Sequence, residues 1–129
     1  MDYSILIVDD EGDIRKLMSL FLEMNETHTF TIYSAENGKK GINIYSKLTN
    51  SGRKPDIVLM DLRMPVMDGV EATRRIIESH PDANVYIFTA YTKTEVEQDA
   101  LIAGARGTLS KDVDWNRTIA NVVNILESL

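Results

Sequence analysis

Four places in the sequence set a polar, chemically able residue directly after a short apolar run. Asp9 and Asp10 follow Ile5-Leu6-Ile7-Val8, Asp61 follows Ile57-Val58-Leu59-Met60, Thr89 follows residues 85–88, and Lys111 follows a shorter run near Thr108 and Leu109. In open parallel α/β sheets, sites form at the carboxyl ends of strands, so such runs would gather three carboxylates, a hydroxyl and an ammonium at one edge. Clustered carboxylates repel one another and raise some of their pKa values unless a cation sits among them, which implies a divalent ion. Oxygen ligands without histidine or thiolate favour magnesium, with manganese the alternative, over zinc or copper. A metal-bound carboxylate, a lysine and a hydroxyl around one point suit the equatorial oxygens of a transferring phosphoryl group. No serine or histidine nucleophile with a paired activator is evident. A carboxylate can itself attack phosphorus and form an acyl phosphate, and Asp61 is the best candidate.

The elements that must position these residues follow from alternation along the chain. Short apolar runs rich in β-branched or aromatic residues alternate with stretches of helical period, the sequence form of repeated βαβ units. The first and third runs are uninterruptedly apolar, as a parallel strand covered on both faces requires. Between them, Ile14, Leu17, Met18, Phe21 and Leu22 make a helical stripe, and residues 30–35 read as a strand. Asn37-Gly38 then turns into a helix carrying Ile42, Ile44, Tyr45 and Leu48, and residues 50–55 form a loop. Residues 70–79 predict a helix with Val70, Thr73, Ile76 and Ile77 inward, ended by His80-Pro81-Asp82. Residues 93–103 predict another, stopped by Gly104, and Trp115, Ile119, Val122, Leu126 and Leu129 stripe the last. Five such pairs, without linker, repeat or low-complexity tract, make one α/β domain over residues 1–129.

Bulk properties narrow the function. The 129 residues are 43% hydrophobic and 26% charged, so the chain has a core and is not disordered. A net charge of −6 and a pI near 4.8 leave no excess of Lys and Arg for phosphate neutralisation, so direct nucleic-acid binding is not expected. The absence of cysteine excludes disulfides, thiolate catalysis and cysteine-ligated zinc. Residues 1–4 have no basic or long apolar signal, and the apolar runs are only strand length, so a soluble cytoplasmic protein without membrane attachment is the expectation. Bland roles stand beside the chemical ones. Asp-Asp after a strand is ordinarily a turn or cap signal, Asp68 can cap the next helix, and His28 and His80 read as surface residues without acidic or hydroxyl partners. The methionines and Trp115 read as core or groove residues.

In order and spacing, these residues resemble the response-regulator receiver (CheY-like) family along essentially the whole chain. The resemblance rests on Val8-Asp9-Asp10-Glu11, then Asp61-Leu62-Arg63-Met64-Pro65-Val66-Met67-Asp68-Gly69, then Thr89-Ala90, Gly104-Ala105 and Lys111. It implies a doubly wound, flavodoxin-like sheet in the order 2-1-3-4-5 with five helices, an order that general topological rules illustrate with a member of this family. It further implies that Asp61 is the phosphoacceptor. Asp10, Asp61 and the main-chain carbonyl of Arg63 would bind magnesium directly and Asp9 through water; Lys111 would pair with the phosphoryl group and Thr89 would swing onto it. The implied donor is a sensor histidine kinase or phosphotransfer protein. An output partner or output domain would follow, with a homodimer on phosphorylation as a further option. The domain would not be an enzyme on external substrates but would catalyse its own phosphorylation and dephosphorylation.

Two positions depart from the family pattern. Asp112 follows Lys111 where proline with a cis bond is usual, which implies a rearranged loop or held strain, since a non-proline cis bond costs about 2.5–4 kcal/mol. Thr108 stands where an aromatic switch residue is common, so signalling would pass through Tyr91, the loop or the face of the last two helices. Arg63 and Tyr91, each two residues beyond a site residue, would hinder the hydrolytic water and slow dephosphorylation. Competing functions are a receiver that docks proteins without being phosphorylated, a haloacid-dehalogenase-type phosphatase and a flavodoxin-like flavin module. The phosphatase would carry Asp-x-Asp after its first strand, and the flavin module would need a hydroxyl- and glycine-rich phosphate loop where Asp9-Asp10-Glu11 stands.

Overall fold

The computed structural model describes residues 1–90, 94–111 and 114–129. Strands and helices alternate: β1 (Asp2–Val8), α1 (Gly12–Glu23), β2 (Thr29–Ala35), α2 (Gly38–Asn50), β3 (Ile57–Met60), α3 (Gly69–Ser79), β4 (Val85–Thr89), α4 (Glu95–Ala103), β5 (Gly107–Ser110) and α5 (Trp115–Ser128). The strands form one parallel sheet in the order β2-β1-β3-β4-β5, as the family resemblance implies.

The continuous apolar runs are explained by burial on both faces. Ile5, Leu6, Ile7 and Val8, and all of β3, are fully buried. Side chains alternate across the pleat. Leu6, Val8, Val58, Met60 and Ile87 join the cluster containing Tyr45, Ala72, Ile76 and Ala100, on the side of α2, α3 and α4. Ile5, Ile7, Ile57, Leu59 and Phe88 join Met18, Leu22, Ile119 and Val122, on the side of α1 and α5. Truncating any one of these aliphatic strand residues to alanine removes about 2–5 kcal/mol.

Four helices start on side-chain caps: Asn37, Asp68, Thr94 and Asp114 accept from the main-chain N–H of Lys40, Glu71, Glu97 and Arg117. Gly104, at φ 121°, stops α4 in a conformation that L side chains rarely adopt. Some inward faces differ from the periodic pattern. In α2, Tyr45 and Leu48 are core while Ile42 and Ile44 are half-buried, because Gly41 packs against Val8 and takes the central position. Leu129 lies beyond α5 and is exposed, so that stripe ends at Leu126. Trp115 is half-buried and stacks on Phe21, with ring centroids 5.9 Å apart.

Both histidines have partners that the sequence does not announce. His28 packs edge-on against Tyr3 and Phe30, and its Nε2 lies 3.4 Å from Glu127 Oε2, across 99 residues of sequence. His80 lies edge-on to Tyr45, with Nε2 3.5 Å from Ser46 Oγ. Among the described residues, no helix is long and apolar enough to cross a membrane.

Candidate functional site

Chain order reverses between β1 and β3, and this is where the acids meet. Val8 pairs with Met60, and the Asp61 N–H donates to the Val8 carbonyl at 2.9 Å, so Asp9 and Asp61 leave the sheet side by side. On the other flank, Thr89 pairs with Ser110, and the Lys111 N–H donates to the Thr89 carbonyl at 2.9 Å. The backbone ladder thus delivers Asp9, Asp61, Thr89 and Lys111 to one edge. Asp10 is exposed at the start of the turn into α1. Gly69, opening α3, approaches the Asp61 carbonyl so closely that a Cβ would lie 2.0 Å from it, so only glycine fits.

These ends border a cleft of about 290 Å³ lined by Asp10, Glu11, Asp61, Arg63, Ala90 and Lys111. That is room for several waters, an ion and a phosphoryl group, since water takes about 30 Å³. A larger groove between α1 and α5, about 530 Å³, has no cluster of acids among the described residues. Lys111 Nζ lies 2.7 Å from Asp9 Oδ2, 3.4 Å from Asp61 Oδ1 and 3.8 Å from Glu11 Oε1, with the Phe88 ring 5.7 Å away. Burial alone would lower the Lys111 pKa, but the Asp9 carboxylate, then Asp61, outweigh it and hold it above the ordinary lysine range. Asp61 is pushed up to about 6, first by burial and then by Asp9, against the pull of Lys111 and the Leu62 N–H.

The donor set fits a hard divalent ion. Asp9, Asp10 and Asp61 each offer an oxygen within 4.8 Å of the others. Asp9 Oδ2 lies 2.7 Å from Lys111 Nζ, and a carboxylate oxygen has lone-pair capacity beyond one such contact. An acid already lifted by its neighbours is a group that a cation would relieve.

The comparison with known families decides what this geometry belongs to: the model of the response regulator receiver domain matches residues 5–123. The chain belongs to that family. Among relatives of this receiver domain, the transcriptional regulatory protein YdfI of Bacillus subtilis (strain 168) is 40% identical over 108 residues, 84% of this chain but 47% of that protein. The chain therefore spans about half the length of that relative. A two-component response regulator of the LuxR family from Aurantimonas sp. SI85-9A1 superposes with a TM-score of 0.82 at 28% identity, covering 99% of this chain and 87% of that one. CheY of Borrelia burgdorferi, solved in a CheX-CheY-BeF3-Mg+2 complex, gives 0.77 at 27% identity over 95% and 88% of the two chains.

The receiver edge brings together every site residue the sequence predicts. Asp9 and Thr89 lie buried behind the cleft, while Asp10, Asp61, Arg63 and Lys111 border it. Tyr91 and Asp112, on which the relay and the loop after Lys111 were expected to turn, lie outside the described residues. Two residues escaped the sequence reading. Glu11 reaches toward Lys111, and its place in the acidic run after the first strand was the available signal. Arg15 folds back to donate from Nη1 to the Asp9 carbonyl at 2.6 Å, which no spacing rule foretells.

Proposed function

We propose that this receiver domain accepts a phosphoryl group on Asp61 from a phosphohistidine of a sensor histidine kinase or phosphotransfer protein. The observation that carries the reading is the meeting of three carboxylates with Lys111, which lies within 3.4 Å of both Asp9 and Asp61. Magnesium, or manganese, would be held by Asp10, Asp61 and the Arg63 carbonyl, with Asp9 acting through water. When bound, the ion neutralises charge on the phosphoryl oxygens. An Asp61 oxygen attacks phosphorus in line as the phosphorus–nitrogen bond to the donor imidazole breaks and that nitrogen keeps the electron pair, to be protonated. Lys111 leaves Asp9 to pair with a phosphoryl oxygen, and the Thr89 hydroxyl turns toward another. Water later attacks the phosphorus of the acyl phosphate and releases phosphate and the free carboxylate. The phosphorylated state is read by an output domain or partner, or by a second copy of the chain.

Incubation with acetyl phosphate and magnesium, followed by intact mass, tests this. Wild type gains one phosphoryl mass and Asp61→Asn none; equal labelling of both takes the acceptor role away from Asp61, and labelling of neither returns the reading to a docking module. Arg63 is exposed and lines the cleft, and in this reading its bulk would hinder the hydrolytic water. The labelled Arg63→Ala protein is accordingly expected to lose its phosphoryl group about two- to tenfold faster, on the scale of one modest contact, and an unchanged half-life would remove that role.

A further inference from the structure

The first helix is built differently from the others. Glu11, at the N-cap of α1, makes no side-chain capping bond, whereas α2, α3, α4 and α5 all have one. Entry into α1 is held instead through Asp9. Its Oδ1 accepts the Glu11 N–H at 2.9 Å, its own N–H donates to the Ala35 carbonyl at 3.0 Å, and its carbonyl accepts Arg15 Nη1 at 2.6 Å. The Arg15 guanidinium reaches that carbonyl by lying across the first turn, with Nη2 3.6 Å from where a Cβ on Gly12 would stand. A carbonyl leaving the sheet needs a donor, and a charged one binds it short and firmly.

The electrostatics of the location are mixed, since nearby acids such as Glu36 attract the guanidinium while two effects oppose it. A cation at a helix N-terminus opposes the helix dipole, and it repels any metal ion that the neighbouring acids would take. What Arg15 contributes there is therefore geometry. We propose that Arg15 is a positioning residue of the acidic pocket. By clamping the Asp9 carbonyl it fixes the turn that presents Asp9 and Asp10, so divalent-ion affinity depends on a side chain that is not a ligand. The proposal rests on the reading of the pocket as a magnesium site.

The two contributions of Arg15 have opposite signs, which makes the test decisive. Magnesium affinity is measured by titration calorimetry at fixed ionic strength on the whole chain, with amide hydrogen exchange of residues 10–12 in the metal-free protein. Losing the clamp in Arg15→Ala is expected to weaken magnesium binding about tenfold and to speed exchange of those amides. Loss of the positive charge alone would tighten binding. Arg15→Lys, which can still donate to the carbonyl, is expected to return to within about twofold of wild type. Unchanged or tighter binding by Arg15→Ala overturns the proposal, as does an Arg15→Lys protein no better than Arg15→Ala. Should Arg15→Ala fail to fold, Arg15→Met, which keeps the packed stem, is judged by the same criterion. Wild type that binds no magnesium would overturn the magnesium reading and the clamp with it, whereas equal binding by wild type and Arg15→Ala overturns the clamp alone.

Discussion

At Asp61, the ionised carboxylate that the proposed attack on phosphorus requires is also the form that the folded protein disfavours. Burial and the Asp9 charge put its pKa at about 6, against 3.8 as the ordinary value. The native state therefore holds a proton that the unfolded chain releases between those two values. Asp61 weighs against stability above pH 6, and that penalty is relieved as pH falls from 6 toward 4. A shift of this size corresponds to at most about 3 kcal/mol, less whatever Lys111 loses when its second acid is removed. In metal-free buffer, Asp61→Asn is expected to be more stable than wild type by about 1–2 kcal/mol at pH 7.5, with the difference vanishing near pH 4. Denaturant midpoints at the two pH values check it; a less stable variant at pH 7.5 would contradict the account of Asp61. The acids were legible in the sequence because each directly follows a strand. The raised pKa of Asp61 was not, since its first cause is burial and its second the Asp9 charge, and only the fold fixes both.

Among the helices, α4 is the least anchored by apolar burial. Its buried residues are Ala100 and the acid Glu97, while Ile102 and Val96 face solvent. Glu97 Oε1 accepts a hydrogen bond from Thr108 Oγ1 at 3.4 Å, tying α4 to β5. Thr108 pairs with Ile87, two residues before Thr89, so the tie lies on the sheet face that Thr89 shares. A threonine–glutamate contact thus occupies the position where the family resemblance led one to expect an aromatic residue. Removing the hydroxyl with the isosteric Thr108→Val is expected to cost about 1 kcal/mol, below the roughly 1.5–3 kcal/mol of a bond to a charged group because the contact is long. Thr108→Ser should cost less, and equal denaturant midpoints for wild type and Thr108→Val would show the contact to be idle. β1 and β3 were readable in advance because a strand covered on both faces must be apolar throughout. The Glu97–Thr108, His28–Glu127 and Arg15–Asp9 contacts were not, because each joins residues that only the folded topology, or a side chain bending back along its own helix, brings together.

On the scale of the whole molecule, an excess of six negative charges means that any salt stabilises this chain somewhat by screening, so stabilisation by magnesium alone proves nothing. The acids are not evenly spread. Asp9, Asp10, Glu11 and Asp61 gather at one sheet edge, where Lys111 is the cation that touches three of them. An ion bound at the proposed site would act by mass action, adding about 1.4 kcal/mol at ten times its dissociation constant and about 2.7 kcal/mol at a hundred times. For a domain of this size, 1–3 kcal/mol is a rise of roughly 3–12 °C in Tm. The expected result is a saturable rise with magnesium chloride beyond that given by sodium chloride at equal ionic strength. It should fall to the sodium chloride level in Asp10→Asn, which removes an exposed ligand without disturbing the core. Diffuse screening would instead raise Tm without saturation and almost equally in both proteins, because one charge in an excess of six changes little.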